Sequence, residues 1–365
     1  MSVVLEAGAL AKALKKAAAI VAASNTIPIL ANVRIETTSA GLQVLTTDLD
    51  VEYCETVPLV SADGELATTV EAKRLAALAG AAAKGAQISL AMEDRQLAVK
   101  AGRSRWKLNA LPVTDFPKIP ALDLVHRLTM PGQQLASALA RVLWSRSTEP
   151  TRYYLNGPLW HAGSDGMLRL VATNGHTLAS TRVDARFPAE GADLILGPKF
   201  CMAAQSIAAD FSGSVDLEWS ASKIRMTAGE CSLLGKAIDG TFPDYRRVIP
   251  CEVDDPIVVD PEMLRQAVRR IDLVGEGKTR TVRIGRSDGI IVVSTQNAEV
   301  GSGTEEVPAD VRASFEVGFN SQYLDQVLTA IGGDSVTIHH ADATSFALVR
   351  RTVDDGALAI VGPMR

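Results

Sequence analysis

The sequence has no apolar run that approaches the roughly 20 residues needed to cross a bilayer. Its first residues, Met1–Glu6, lack a basic stretch followed by a long apolar segment, so no signal peptide is predicted. The four cysteines are scattered, without a CxxC pair or a histidine at metal-ligand spacing, as is typical of thiols in a reducing compartment. These absences predict a cytoplasmic protein without a metal or other cofactor.

Recognisable catalytic motifs are also missing, since there is no GxSxG, Walker loop, HExxH or GxGxxG. His176 follows a predicted turn, whereas His339 and His340 are adjacent in a predicted strand and should point to opposite faces. Asp48 and Asp50 resemble a carboxylate pair but have no third ligand nearby, so a solvated strand end is the preferred interpretation. The sequence favours a binding or scaffold role, and an enzyme of unrecognised chemistry stays an alternative.

What the chain does contain is typical of a soluble globular protein, with 47% hydrophobic and 22% charged residues. Its 365 residues predict two or three domains. The formal net charge of −5 argues weakly against nucleic acid as a partner, because proteins that bind DNA usually have a basic balance. The position of the charges therefore matters more than their sum.

One pattern occurs three times: a short apolar strand, a turn-prone break and an amphipathic helix. These first helices are predicted at Ala9–Ala23, Gln133–Arg146 and Pro261–Val274. Strands follow, and then second helices at Ala72–Lys84, Pro198–Ala209 and Ser321–Ile331. A repeat of about 125 residues has the size of a domain rather than of a solenoid unit. We therefore predict three similar α+β domains, at 1–121, 122–251 and 252–365.

Positive charge is concentrated in the predicted helices, which hold twelve lysines and arginines against three acidic residues. Lysine and arginine are good helix formers and decorate many solvated faces, but glutamate is an equally good helix former and is almost absent here. The pattern favours a layer of basic helices that faces a polyanion, with acidic strands elsewhere. Because few aromatic side chains accompany the charges, the backbone of duplex DNA is a better candidate than stacked single strands.

Several segments, spread over the whole chain, resemble the bacterial beta sliding clamps, the beta subunits of the replicative DNA polymerase. The segments that carry this resemblance are Thr26–Asn32, Thr47–Leu49, Gly102–Arg105, Leu111–Pro117, Arg152–Gly157, Ala172–His176, Phe242–Val248 and Pro363–Arg365. The resemblance implies three copies of the clamp domain, each with two helices against antiparallel sheets, in a ring-shaped head-to-tail homodimer. It further implies a non-catalytic processivity factor that encircles duplex DNA and binds the polymerase, the clamp loader and other replication and repair proteins.

The resemblance also assigns roles to individual residues. A peptide-binding pocket between the second and third domains would use Leu155, Thr173, Gly175, His176, Leu178, Pro243, Arg247, Val248, Val361, Pro363, Met364 and Arg365. DNA would contact Lys73, Arg103, Arg105, Arg152, Tyr153, Tyr154 and Lys199. The subunit interface would place Trp106 and Leu108 against Leu273 and Val274.

Five positions depart from the family pattern, among them Ser24, where a basic residue is missing, and Arg365, which is not followed by a terminal leucine. Glu149 places a negative charge beside the expected DNA-contacting loop, and Thr177 stands where a basic residue can occur at the pocket. Gly362 replaces a larger apolar residue, so the depth and affinity of the pocket are expected to differ. A scaffold that binds only proteins is the remaining alternative to a clamp.

Overall fold

The computed structural model describes residues 2–21, 27–117, 123–188, 192–275, 280–287, 289–311 and 315–364. Over these residues it contains six α-helices, α1 (Ala7–Ile20), α2 (Ala72–Gly80), α3 (Gly132–Val142), α4 (Pro198–Asp210), α5 (Pro261–Asp272) and α6 (Ser321–Ile331). Each predicted repeat thus contributes two helices, which confirms the helix pattern of the predicted α+β fold. No helix in the described ranges is long and apolar enough to span a membrane.

Four helices, α1, α2, α3 and α5, end earlier than predicted, and α2 and α3 differ the most. The helix α2 ends at Gly80 rather than at Lys84, and the alanines that follow are at least partly exposed, so no packing supports a further turn. The helix α3 ends at Val142 and is followed by a 3-10 turn over Leu143–Ser145. Lys84 and Arg146, which were counted with the helix charges, therefore lie outside the helices.

Strands make up most of the remaining structure. The first half contains β1 (Ser2–Glu6), β2 (Asn32–Thr38), β3 (Gly41–Thr47), β4 (Val51–Val57), β5 (Ser61–Asp63), β6 (Ala67–Glu71), β7 (Gln87–Glu93), β8 (Gln96–Ala101), β9 (Ser104–Leu111), β10 (His126–Pro131), β11 (Leu159–Ala162), β12 (Met167–Thr173) and β13 (Thr177–Arg186). The second half contains β14 (Leu194–Ile195), β15 (Ser214–Trp219), β16 (Lys223–Ala228), β17 (Cys231–Lys236), β18 (Ile257–Val259), β19 (Thr281–Ser287), β20 (Ile290–Asn297), β21 (Gly301–Asp310), β22 (Phe315–Asn320), β23 (Val336–His339), β24 (Ala347–Arg351), β25 (Ala357–Val361) and β26 (Pro363–Met364).

The chain divides into two compact units, of which unit 1 comprises Met1–Ala136 and Lys199–Ala237. Its strands form one antiparallel sheet in the order β10-β15-β16-β17-β4-β3-β2-β6-β9-β8-β7-β1-β5. In this sheet β4 of the first repeat pairs with β17 of the second, and Tyr53 lies opposite Leu233. The helices α1 and α2 pack against each other, and α1 also contacts β3 and β4.

Unit 2 comprises Ser137–Pro198 and Ile238–Arg365. Its antiparallel sheet has the order β14-β11-β12-β13-β25-β24-β23-β18-β21-β20-β19-β22-β26. Here β13 of the second repeat pairs with β25 of the third, and Ala179 lies opposite Ala359. The helices α5 and α6 pack against each other and against the strands of the third repeat.

The middle repeat contributes strands to both units, so the units do not coincide with the threefold repeat. The domain boundaries after residues 121 and 251 stay predictions, and residues 118–122 lie outside the described residues.

The helices are amphipathic in the way that the sequence predicted. The apolar i, i+4 pairs of the three first helices are all buried, with at most 1% of each side chain exposed, and they are Leu10 and Leu14, Leu135 and Leu139, and Leu264 and Val268. In the third repeat, the side chain of Asp260 caps α5 and accepts hydrogen bonds from the backbone amides of Glu262 and Met263. Asn320 caps α6 in the same way. These caps fix where each helix begins on the sheet.

Candidate functional site

A small apolar cluster in unit 2 lies where strands of the second and third repeats meet. Its buried members are Val171, Leu178, Tyr245, Leu348 and Ile360, and the half-buried Leu159, Phe242, Ile249 and Leu358 pack against them. These residues come from β11, β12, β13, β24, β25 and the segment 242–249. The cluster therefore needs both repeats and the linker between them. We call it the junction cluster.

The turn between β12 and β13 lies beside this cluster and is held by its own polar side chains. The hydroxyl of Thr173 donates to the carbonyl of Thr177 at 2.7 Å, and the Asn174 side-chain oxygen accepts from the amides of His176 and Thr177 at 2.9 and 2.8 Å. Gly175 has a φ of +90°, a backbone conformation that glycine adopts without steric cost. The result is a rigid turn that leaves the His176 side chain exposed.

The exposed His176 ring stacks on Tyr323 of α6, with ring centroids 5.8 Å apart and planes 19° from parallel. Tyr323 was not among the residues predicted for the pocket, so this residue of the site was missed. A stack across two elements that are far apart in the sequence leaves no local signal. Thr177 is buried, and its hydroxyl lies 2.8 Å from that of Ser145, so it faces the interior instead of lining the surface of the turn.

A 3-10 turn over Tyr245–Val248 also borders the junction cluster, to which Tyr245 belongs. The Tyr245 hydroxyl lies 3.0 Å from Nε2 of His161, whose Nδ1 lies 2.6 Å from the Ala162 carbonyl. Nδ1 therefore donates to the carbonyl, and Nε2 accepts from the tyrosine. Burial lowers the pKa of His161 and raises the pKa of Tyr245, so both groups stay neutral near pH 7.

This buried bond anchors the turn and orients its exposed residues. Arg247 is exposed, and 49% of the Val248 surface is accessible to solvent. Pro243, which precedes the turn, is also exposed. The three residues offer an apolar and a cationic contact next to the junction cluster.

The C-terminal residues divide between two places. Val361 is fully buried and belongs to the core of the third repeat, on the face of β25 opposite to the junction cluster. Pro363 and Met364 form β26, which pairs with Gly318 and Phe319 of β22. Arg365 lies outside the described residues.

Met364 lines an open cleft of about 780 Å³ together with residues of β19 and β22. Its sulfur accepts a hydrogen bond from the Thr281 hydroxyl at 3.6 Å. Leu155 is buried at the end of another 3-10 segment, over Pro150–Leu155. Of the twelve residues predicted for the pocket, the structure thus places Thr173, Gly175, His176 and Leu178 together on one turn, and Pro243, Arg247 and Val248 together around the other.

The residues predicted to contact DNA fall in different surroundings. In unit 1, Lys73, Arg103 and Arg105 are exposed. Lys199 differs, because its ammonium group pairs with the Asp48 carboxylate and donates to the Ile20 carbonyl at 3.2 Å. Asp48 is only 11% exposed, so the interpretation of a solvated strand end was wrong for this residue.

In unit 2, Arg152 pairs with Glu149 at 3.5 Å. Its guanidinium lies 3.2 Å from the position that a Cβ would occupy at Gly175, so Arg152 borders the turn between β12 and β13. Tyr153 and Tyr154 meet edge to face with centroids 5.8 Å apart, and 52% of Tyr153 is exposed. Arg152 therefore lies close both to Gly175, which was predicted for the peptide site, and to Tyr153, which was predicted to contact DNA.

The residues predicted for the subunit interface are on the surface of their own units. Trp106 and Leu108 are half-buried and lie on the same face of β9. Leu273 directly follows α5 and is 83% exposed, and Val274 is half-buried. Leu273 is the most exposed of the large apolar residues that the structure describes.

The remaining candidates for chemistry have structural surroundings. His339 is the last residue of β23 and His340 follows it, so the prediction that both lie in a strand was wrong for His340; their rings contact different partners, the amide of Val253 and the ring of Phe319 respectively. No disulfide joins the four cysteines, and no set of three His, Cys, Asp or Glu residues in the described part of the chain is arranged to hold a metal ion.

Comparison with known proteins covers the entire chain. Models of the N-terminal, central and C-terminal domains of the DNA polymerase III beta subunit match residues 1–120, 129–244 and 246–365. The chain belongs to this family, the beta sliding clamps. The predicted fold class, three copies of the clamp domain, is thereby confirmed.

Individual clamps agree with this assignment. The chain is 35% identical to the beta sliding clamp of Caulobacter vibrioides and 33% identical to that of Pseudomonas aeruginosa, with 100% of each chain covered. The solved structure of the P. aeruginosa DnaN sliding clamp bound to griselimycin superposes with a TM-score of 0.94, at 33% identity, over 100% of this chain and 99% of that one. The clamp of Bartonella birtlesii, also bound to griselimycin, gives a TM-score of 0.93 at 31% identity, with the same coverage.

Proposed function

We propose that this protein is a DNA polymerase processivity factor: a closed dimeric ring that encircles duplex DNA and tethers its partners by short peptides. The observation that carries the proposal is the way in which its repeats are joined. In unit 1 the joining pair is β4 with β17, and in unit 2 it is β13 with β25. In both cases the second strand of a hairpin in one repeat pairs with the strand that closes the last hairpin of the following repeat.

Two strands that are equivalent to these joining strands lack such a partner among the described pairings, one in the third repeat and one in the first. β21 of the third repeat is equivalent to β4 and β13, and it pairs with β18 only at Ala309 and Asp310. β9 of the first repeat is equivalent to β17 and β25, and it pairs with β6 only at Ala110 and Leu111. Joining β21 of one chain to β9 of another repeats the junction a third time. A heterologous contact of this kind closes into a ring when its rotation allows.

The apolar residues near these edges support the same contact. Trp106 and Leu108 lie on β9, and Leu273 and Val274 follow the helix that packs on β20 and β21. An indole and three aliphatic side chains suit the centre of an interface, where burial of apolar area is the main source of affinity. A second chain that covers Leu273 would remove its exposed apolar surface from water.

Sequence-independent attraction to the DNA backbone would come from lysines on the helix layers. Lys12 and Lys15 on α1 and Lys73 on α2 are exposed and form no ion pair with any described residue. Charges of this kind neutralise phosphates without reading base edges, so they permit movement along the duplex. Arg103, Arg105, Arg152, Tyr153, Tyr154 and Lys199 stay predictions for the same role.

The occupant of the site around the junction cluster would be a short linear peptide with apolar anchors, carried by the polymerase, the clamp loader and other replication or repair proteins. The site offers aliphatic and aromatic walls and the cation of Arg247, and Met364, which lines the neighbouring part of the sequence-predicted pocket, stays a prediction as a further adaptable contact. We propose no catalytic step and no cofactor for this protein, and a cytoplasmic location with the DNA.

Retention on circular DNA tests the ring directly. The purified protein is loaded onto nicked circular duplex by a bacterial clamp loader with ATP, and the circle is then cut once by a restriction enzyme. A ring stays on the circle during gel filtration and is lost after linearisation. A scaffold that binds only proteins would not co-elute with either DNA, and this result would overturn the proposal.

Two paired variants separate the ring from the peptide site. Leu273→Ala with Val274→Ala should convert the dimer to monomers in sedimentation, because the exposed apolar centre of the interface is removed. Arg247→Ala with Met364→Ala should weaken binding of a polymerase-derived peptide while leaving the dimer intact. An unchanged dimer in the first variant would contradict the interface, and retained peptide affinity in the second would contradict the pocket.

A further inference from the structure

Gly362 directly follows β25, and the structure shows what occupies the space beside it. A Cβ built on Gly362 would lie 3.0 Å from a ring carbon of Phe346 and 3.2 Å from the carbonyl oxygen of His176. Cβ atoms rarely approach other atoms this closely, so one of the neighbours would have to move. The ring of Phe346 thus lies in the direction that a side chain at position 362 would take.

The sheet brings these residues together by register. Val361 lies opposite Thr177 on one side and opposite Ala347 on the other. The next position along this row therefore contains His176, Gly362 and Phe346 side by side. The Gly362 amide donates to the His176 carbonyl at 2.8 Å, which continues the ladder beyond the end of β25.

Alternation along the strands decides which face these residues occupy. Val361 and Ala347 belong to the core of the third repeat, whereas Ile360 and Leu348 belong to the junction cluster on the opposite face. Successive side chains point to opposite faces, so Phe346 falls on the face of the junction cluster. The turn between β12 and β13 and the Tyr245–Val248 turn border this face.

Phe346 is also accessible, with 36% of its surface exposed. A large, partly exposed aromatic residue beside an apolar cluster contributes apolar area and a rigid boundary at low entropic cost. Its neighbour His176 is held in place by the stack on Tyr323. The row thus ends in fixed aromatic groups rather than in a flexible aliphatic side chain.

We infer that Phe346 is a specificity-determining residue of the peptide site, which fills the space beside Gly362 and closes this end of the pocket. This inference rests on the proposed function and adds to it a preference in the ligand. A closed end favours a peptide whose anchor is a compact aliphatic side chain and disfavours a bulky aromatic one.

The test uses the full-length dimer and two fluorescein-labelled pentapeptides with paired apolar anchors, identical except that one anchor is leucine or tryptophan. Griselimycin, which related clamps bind, serves as a competitor. The wild type should prefer the leucine peptide. Phe346→Ala should shift the preference toward the tryptophan peptide by about 10-fold, since differences of this size follow from opening an apolar pocket. Val353→Ala, on a side chain that is 81% exposed and away from the cluster, is the matched control.

Gly362→Met adds the reciprocal measurement. Alone it should weaken both peptides by about 10-fold, because the new side chain collides with Phe346. Combined with Phe346→Ala it should recover binding of the leucine peptide to within about 3-fold of the wild type, since the two changes exchange volume. Thermal melts confirm that each variant is folded, and if Gly362→Met does not fold, the preference of Phe346→Ala still decides.

The outcomes separate the two claims. If Arg247→Ala weakens both peptides but Phe346→Ala leaves the leucine-to-tryptophan ratio unchanged, the inference about Phe346 is overturned and the peptide site stands. If the wild type binds neither peptide and does not bind griselimycin, the proposed peptide site is overturned together with the inference.

Discussion

The helix layers of the two units carry their positive charge in different states. On α1 and α2 of unit 1, Lys12, Lys15 and Lys73 are exposed and have no ion-pair partner among the described residues. On α5 of unit 2, every arginine is paired: Arg265 and Arg269 share the carboxylate of Asp325.

The third arginine of α5 follows the same pattern, because Arg270 donates to Glu305 of β21 at 3.0 Å. The Asp325 carboxylate raises the pKa of Arg269, and Glu305 does the same for Arg270. A count of helix charges treated these arginines and the lysines of unit 1 as equal. Positive charge on a helix is therefore available to a polyanion only where no acidic side chain of another helix or strand already neutralises it.

The largest effect is expected from reversing the unpaired charges. Lys12→Glu, Lys15→Glu and Lys73→Glu together should weaken binding to a short duplex and lower the salt dependence by about 0.9 per lost phosphate contact. Fluorescence anisotropy over a series of salt concentrations measures both. Arg127→Glu, on strand β10 of the same unit, is the control. An equal loss in the control would remove the distinction between helix layer and strands.

Releasing the paired arginines should have the next largest effect. Asp325→Asn leaves Arg269 without its partner and Arg265 with only Glu262, so affinity for duplex should rise several-fold. The melting temperature should fall by about 2–4 °C, because a shared, half-buried carboxylate is lost.

The control for this change is Glu316→Gln, since Glu316 and its partner Arg283 are both more than half exposed. Exposed pairs contribute little, so neither quantity should change. Unaltered DNA affinity in Asp325→Asn would mean that pairing does not mask the α5 arginines.

Lys199 sharpens the comparison, because it was predicted to contact DNA but is paired within unit 1. Lys199→Met should lower the melting temperature by about 2–4 °C, since Asp48 loses its cation and the Ile20 carbonyl loses a donor. Its effect on duplex affinity should be smaller than that of Lys73→Met. The reverse order, with stability unchanged, would restore Lys199 as a direct DNA contact.

The smallest effect concerns pH, and it should appear in unit 2. Burial lowers the pKa of His161 and of His340, so both bind a proton less readily in the folded chain than in the unfolded chain. Their contribution to stability is complete above the ordinary histidine pKa of about 6.5 and is lost as pH falls below it. Between pH 7.5 and 5.5 the melting temperature should fall by about 2–5 °C.

Amide hydrogen exchange locates this change. Faster exchange at pH 5.5 should concentrate in peptides around Tyr245, whose hydroxyl donates to His161, and around β23. In His161→Phe the dependence on pH should be weaker, although the variant is less stable at every pH because the tyrosine hydroxyl loses its acceptor. A uniform response of both units would argue against the histidines as its source.

The parts of the candidate site that the sequence predicted are those in which local motifs carry the information. Thr173, Gly175 and His176 form one polar turn, and Arg247 and Val248 share another, so their neighbours in sequence are also their neighbours in space. Tyr323 and Phe346 were missed because they reach the site from elements more than 140 residues away from the turn. No local periodicity records such contacts.

By itself, the sequence determined the threefold repeat, the six helices with their buried apolar pairs and the antiparallel strands between them, because these follow from side-chain periodicity and from turn and cap residues close to one another in the chain. The tertiary structure alone decided which charges remain available, which strands join consecutive repeats and which side chain fills the space at Gly362. Those outcomes depend on pairing and volume between residues far apart in the sequence, and burial sets their energies only after the fold has formed.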